Sequence, residues 1–416
     1  MRRLVSELYG TTTLGDCAAA LGYLATPRRL IRGGAIERYE REFARRIGVR
    51  HAVSFAAGRT ALYALLRAFD VGEGDEVLVP LPTHVVVVNA VRYVGAVPIF
   101  VDCSAETITL DLDEAERRIS PRTRVLIAQH TFGIPVDMDA AAELARRHDL
   151  VLIEDCVHAL GSTFGGRSVG SIGRGAFFST EETKTISSTM GGVATTDDET
   201  VGRRLRAIQD ECLWPSASVT VRYLLKLILY HVLTHPEVHR ASRPLYMLLG
   251  RSRRTRLAPL PTSEYEQRGE RPPEYAQRLS NAQAALALRQ LGRLDANVAH
   301  RRTTAAIYER ALAARSIPTP RPLARSDPAY LRYPIRVSDA EQMADAVAPR
   351  AVLGRWFSSV IGEARSPADV GYVPGSCPRA ERLAGHLVNL PTHPRVTAED
   401  AHEIVAATVA AIEQER

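Results

Sequence analysis

The chain has 416 residues, of which 45% are hydrophobic and 24% charged, and a net charge of +6. That size and balance describe a globular chain with room for two or more domains, not a disordered or miniature one. The five cysteines, Cys17, Cys103, Cys156, Cys212 and Cys377, are scattered, odd in number and form no CxxC, which argues against a disulfide framework or a structural zinc site. The first residues, MRRLVSELYGTTTLGD, lack the long apolar core of a signal peptide, so a cytoplasmic protein is expected. Most of the positive excess lies in Arg240 to Arg256; elsewhere arginines and carboxylates intermix as on a solvated surface, and no nucleic-acid partner is expected.

In chain order, residues 36–48 (IERYEREFARRIG) place apolar groups at helical spacing and end in a glycine, which predicts an amphipathic helix. His51–Ala56 reads as a strand. Ala57-Gly58-Arg59-Thr60 follows, and then the helical ALYALLRAF. Strand, glycine turn and helix together point backbone N–H groups at an anion, although such a turn is also a common connection without a ligand. Glu76–Pro80 and Pro98–Asp102 read as strands, with a helical run VVVVNAVRYVG between them. Asp111–Ile119 and Met138–His148 read as helices, Arg124–Ala128 and Leu150–Ile153 as strands, the last leading into Glu154-Asp155. The alternation predicts an α/β domain with a mostly parallel sheet, whose ligands bind at the carboxyl ends of the strands.

Candidate chemistry falls at those strand ends. Asp155 follows LVLI, His158 comes three residues later, Ser179 follows the strand AFF, and Lys184 lies five residues beyond it. Each has an ordinary structural reading as well: a helix cap for Asp155, a satisfied histidine for His158, a turn residue for Ser179, a solvated lysine for Lys184. The lysine stands out because only two of the 53 basic residues are lysines, Lys184 and Lys226. Arginine cannot lose its proton near neutral pH or form a Schiff base; a desolvated lysine can do both. Pyridoxal phosphate chemistry needs such a lysine, a carboxylate on the pyridine nitrogen and a phosphate cup. Lys184, Asp155, and the Gly58–Thr60 turn with Ser179 offer candidates for each.

Residues 221–257 form an insertion of different character. RYLLKLILYHVL and PLYMLLG are apolar but too short to span a bilayer, and RSRRTR follows. It reads either as a buried helical hairpin or dimer element, or as an interfacial element with a basic flank for anionic lipid. Pro259–Pro273 reads as a linker, and from Tyr275 one long helix is expected. The strand LRYPIRV, a helix at Ala340–Val347 and a terminal helix AEDAHEIVAATVAAIEQ complete a smaller α+β domain. The expected division is 1–265 and 266–416. Core packing is the expected fate of Trp356, and Tyr372, His386 and His393 fall in loops of the smaller domain.

Four stretches carry a family resemblance that runs from about residue 30 to the C-terminus. They are GAIERYEREFARRIGVRHAV, EVLVPLPTHVVVVNAVRYVGAVPIFVD, IAQHTFGIPVDMDAAAELARRHDLVLIEDCVHALGSTFGGRSVGSIGRGAFFST and RLSNAQAALALRQLGRLDANVAHRR. With them the chain resembles the DegT–StrS group of PLP-dependent sugar aminotransferases of fold type I. The resemblance implies a seven-stranded, mostly parallel sheet in the larger domain. It makes Lys184 the Schiff-base lysine, Asp155 the pyridine-nitrogen partner, His158 a neighbour of the phenolic oxygen, Ser179 a phosphate ligand and His84 the ring stacked on the cofactor.

The chain departs from the family at three places. Gly58-Arg59 stands where Gly-Thr is common, Ala276-Gln277-Arg278 where Asn-Tyr-Arg is, and Ser188-Thr189-Met190-Gly191-Gly192 where Gly-Glu-Gly-Gly is. Arg59 is expected to replace the lost asparagine contact to the cofactor's phosphate. The Glu181-Glu182 pair is either a surface pair or a holder for a cationic or hydroxylated substrate. The activity implied is a homodimer, with sites at its interface, moving an amino group from L-glutamate or L-glutamine to a keto-sugar, nucleotide-linked, or a keto-cyclitol. Another PLP reaction on the same scaffold, and a non-catalytic membrane-associated binding protein, are the alternatives.

Overall fold

A computed structural model of the chain describes residues 3–7, 10–251 and 262–415. Its centre is a seven-stranded sheet in the order His51–Phe55, Gly192–Thr196, Gly175–Ser179, Val151–Asp155, Thr123–Gln129, Glu76–Pro80, Val97–Val101. Gly192–Thr196 runs antiparallel to both its neighbours, and the remaining pairings are parallel. This is the expected α/β architecture. The central strands are buried along their length, which is why they read as continuous apolar runs.

Helices cover both faces. Gly58–Ala68 and Val85–Tyr93 pack into one core with Phe55, Val77, Ile127 and Phe177. On the other face Ala35–Ile47 joins Asn281–Leu291, and Met138–Arg147 lies over Leu126 and Leu152. Ala35–Ile47 stops at Gly48, whose φ of 85° is a left-handed cap that other residues adopt at a cost.

The single long helix expected from Tyr275 is two, Asn281–Leu291 and Leu294–Ala313, separated at Gly292. They share one core at their junction, through Leu291, Leu294 and Val298, and diverge beyond it. The first packs Ala284, Ala287 and Leu291 with Tyr39 and Phe43. The second contributes Ala305, Ile307, Tyr308 and Leu312 to a smaller core built with the antiparallel pair Arg332–Arg336 and Leu387–Pro391 and the helices Ala340–Val347 and Ala398–Glu415. The expected helix at Asp111–Ile119 spans Leu112–Arg117, with the Asp111 carboxylate accepting from Glu114 N.

Within the insertion, Ala217–Leu233 and His239–Arg251 are helical. The first buries Leu224, Leu227 and Tyr230 against Cys17 and Ala20 of the helix Leu14–Leu24 and Ala282 and Leu286 of Asn281–Leu291. No helix among the described residues is long and apolar enough to cross a membrane. The basic flank at 252–256 and the linker from Pro259 to Pro261 lie outside the described residues.

Candidate active site

The strand ends converge on a cavity of about 260 Å3 lined by Gly58, Arg59, His84, Asp155, His158, Ser179 and Lys184, among others. Seven of the eight residues singled out from the sequence therefore share one wall. Thr60 does not line it, because its hydroxyl donates to Tyr275 O at 3.3 Å.

Asp155 ends the strand Val151–Asp155 and is fully buried. Its Oδ1 accepts from Val157 N at 3.1 Å, while Oδ2 is buried without a hydrogen-bond partner. Burial raises its pKa to about 6; the Val157 amide opposes that shift. A buried carboxylate oxygen left unpaired is costly unless a donor arrives, and a protonated pyridine nitrogen is such a donor.

Lys184 sits on a turn closed by its own N–H to Glu181 O at 3.0 Å. Burial lowers its pKa to about 8, against the opposing pull of Glu181. A far greater share than in a free lysine is then neutral near physiological pH, as a nucleophile or proton carrier requires. Its Nζ lies 5.5 Å from the centre of the Trp356 ring. The loop behind it is held by amide side chains of the two helices at 281–313. Gln290 exchanges both bonds with the Ser187 backbone at 2.8 and 2.6 Å, Asn297 donates to Thr185 O at 2.6 Å and Gln283 donates to Met190 O at 2.7 Å.

His158 Nδ1 accepts from Phe132 N at 3.3 Å, which leaves the ring proton on Nε2. Burial and the nearby Lys184 push its pKa well down, so the ring is a neutral N–H donor. It stacks on Phe132 with centroids 6.1 Å apart. His84 caps the helix Val85–Tyr93 by accepting from Val86 N at 3.3 Å, and its ring lies 5.6 Å from Trp356.

The helix Gly58–Ala68 begins at the cavity wall beside Ser179, an arrangement whose N-terminal dipole suits an anion. The approach there is close. A Cβ on Gly58 would lie 3.2 Å from Phe178 O and Ser179 Cβ, and one on Gly192 would lie 2.3 Å from Ala57 O. Arg59, expected at the phosphate, forms an ion pair here with Glu266, Nε to Oε1 3.0 Å.

Trp356 packs against the larger core, as expected, and also lines the cavity, edge-on to His158 and within cation–π distance of Arg332 (5.3 Å) as well as Lys184. Glu7, Arg332, Glu363 and Lys226 also belong to the surroundings and were not foreseen. Arg332 Nη1 donates to Glu7 Oε2 at 2.7 Å, and both residues line a small recess that shares Lys184 with the main cavity. His393 lines the same recess and holds Ser6 O, Tyr372 donates to Glu381, and His386 is exposed. Glu181 and Glu182 both line the cavity; Glu181 accepts from Thr183 N and Oγ1 at 2.9 and 2.6 Å, and Glu182 pairs with Lys226.

The buried trio His130, Glu154 and Cys156 is spaced closely enough for a cation. The His130 and Glu154 atoms are already committed. His130 takes Val136 N on one ring nitrogen and faces Glu154 on the other, and Glu154 accepts from the amides of Gly170, Ile172 and Gly173.

The sequence model of the DegT/DnrJ/EryC1/StrS aminotransferase family matches residues 15–221 and 254–409. The chain belongs to this family. The gap in the match, 222–253, falls within the insertion read at 221–257. The chain is 32% identical over 281 residues to the GDP-perosamine synthase of Caulobacter vibrioides, covering 68% of this chain and 62% of that protein. It is 38% identical over 178 residues to the L-glutamine:2-deoxy-scyllo-inosose aminotransferase of Streptomyces kanamyceticus, covering 42% of each. The matched lengths are thus about two fifths to three fifths of these relatives. Among solved structures, DesV of S. venezuelae, determined with a ketimine intermediate, is 27% identical with a TM-score of 0.74, covering 96% of this chain and 95% of that one. The family's cofactor is pyridoxal 5'-phosphate. The unpaired Asp155 oxygen, the neutral His158 donor and the narrow glycine turn fit it.

Proposed function

We propose that the chain is a PLP-dependent aminotransferase that takes an amino group from L-glutamate or L-glutamine and gives it to a keto-sugar, nucleotide-linked, or to a keto-cyclitol. The observation that carries this reading is a depressed lysine and an unpaired buried aspartate in one cavity. The relatives named above act, by their names, on a GDP-linked sugar and on an inosose, which supports the substrate class.

When bound, the cofactor supplies an electron sink for charge developing at the carbon that carries the nitrogen. Asp155 would hold the proton on the pyridine nitrogen through its unpaired oxygen, and the His158 Nε2–H would donate to the phenolic oxygen. The helix start at Gly58–Arg59 and Ser179 would hold the phosphate, and His84 and Trp356 would exclude water from the ring faces. Lys184 would hold the cofactor covalently and carry the proton at the substrate carbon. Arg332, across the recess from Lys184, offers a fork for the donor's carboxylate in place of Glu7.

The same reading includes a homodimer and a cytoplasmic setting. Leu225, Val232, Leu245 and Met247 on the insertion helices and Val238 in the turn between them are exposed, a surface a second copy could cover. Light scattering tests the dimer. Liposome co-sedimentation of the full chain against a 221–257 deletion tests the lipid alternative, and no difference removes it. The activity test is a panel of keto-sugar nucleotides and keto-cyclitols with glutamate and glutamine as donors. Amino product from either class supports the proposal; none from any acceptor, with an intact cofactor spectrum, overturns it.

A further inference from the structure

The two lysines of this arginine-rich chain meet at one place. Lys226 lies on the helix Ala217–Leu233, in the stretch 222–253 that the family match leaves out. Its Nζ is 2.5 Å from Glu182 Oε2, with side chains only 5% and 12% exposed. Glu182 lines both the main cavity and the recess beside Lys184, two residues ahead of that lysine. A second contact reaches the other side of Lys184. Thr189 Oγ1 donates to Tyr223 O at 3.3 Å, and Thr189 has the left-handed φ of 73° that a β-branched residue seldom adopts. Thr189 stands in the loop 188–190, where the chain departs from the pattern its resemblance implies. Tyr230 and Tyr246, also on the insertion helices, pack edge to face, and Tyr230 lies 5.7 Å from the Lys226 ammonium.

We propose that the insertion is a working part of the active site, with Lys226 a positioning residue that acts through Glu182 on the turn carrying Lys184. It does two things. It ties the Glu181–Lys184 turn to the helix Ala217–Leu233, and it cancels a carboxylate charge that would otherwise add to those of Glu181, Asp155 and Glu363 in stabilising the protonated form of Lys184. Lysine serves here because its compact ammonium makes a point contact in an apolar cage, where the wider guanidinium fork needs more partners. The proposal rests on reading Lys184 as the reactive lysine.

Because the chain has two lysines, labelling the full-length protein with 13C-lysine gives two ε-methylene signals, and Lys226→Met leaves that of Lys184 alone. Expected is an upward move of the Lys184 titration midpoint by about half a unit or more in Lys226→Met, a downward move in Glu182→Gln, and a return towards wild type in the double variant. In the holoenzyme, the pH midpoint of the cofactor's visible band moves in the same directions. Lys226→Arg keeps the charge and so keeps the sign of the wild-type environment. A midpoint that stays put in Lys226→Met, or shifts of equal sign in both single variants, overturns the proposal and leaves the insertion with packing alone. A cofactor band that survives Lys184→Ala instead overturns the underlying assignment of Lys184, so the two failures are told apart.

Discussion

Glu363 faces His84, with 3.5 Å between Oε2 and Nε2, across a seam where Ile361–Gly362 runs parallel to Thr83–His84. The seam joins the chain beyond 350 to the loop that follows the strand Glu76–Pro80. Burial raises the Glu363 pKa, but the adjacent His84 outweighs it and holds the carboxyl below its usual range. Glu363 therefore orients the imidazole assigned to the cofactor ring. Glu363→Gln removes the charge that faces the imidazole, and a cofactor Kd about threefold weaker is expected, the size of one part-exposed ion pair. Fluorescence titration of the apoprotein measures it.

Lys184 makes the stability of the apoprotein depend on pH. Its folded pKa of about 8 lies below the usual 10.5. Between those values the unfolded chain holds a proton that the folded chain does not, so stability rises with pH across this window and is lost as pH falls through about 8. Thermal melts of the apoprotein from pH 7.5 to 10.5 are expected to show this rise for wild type relative to Lys184→Met.

Gly192→Ala places a Cβ 2.3 Å from Ala57 O, against the backbone of the Ala57–Gly58 peptide with no flexible side chain to yield. A loss of about 1–3 kcal/mol in stability is expected, together with weaker phosphate binding, because the displaced turn is the one at Gly58. Denaturant melts and a pyridoxal phosphate titration read the two effects separately.

Arg332→Ala removes the guanidinium that now holds Glu7 at 2.7 Å beside Lys184. The donor's KM is expected to rise about tenfold or more, the worth of a bond to a charged group, with little change in KM for the keto acceptor. Steady-state kinetics with each substrate varied in turn check this. An equal rise for both substrates points to a general distortion of the site.

The parts of this molecule written as apolar runs were legible. The strands at Glu76, Val151 and Gly175 and the strand-end residues Asp155 and Lys184 could be placed before any coordinates. Gly192–Thr196 was missed because its buried face carries threonines. Thr195 and Thr196 satisfy their hydroxyls on Gly170 O and Arg174 O, so a central strand reads as a polar loop. Arg332 reads as part of a strand and Trp356 as core, and both are so; neither signals in the sequence that it also lies beside Lys184. Lys226 did carry a signal, its rarity, but only the packing of the 217–233 helix shows where that lysine points.

The central claim is that Lys184 holds the cofactor and Asp155 tunes it. The most direct measurement is the visible absorption spectrum of the purified protein with pyridoxal phosphate, before and after L-glutamate. Wild type is expected to show a cofactor band that the donor converts. Lys184→Ala is expected to lack the covalent band, and Asp155→Asn to keep it but convert about a hundredfold more slowly or worse. A wild-type band unchanged by either substitution would contradict the account.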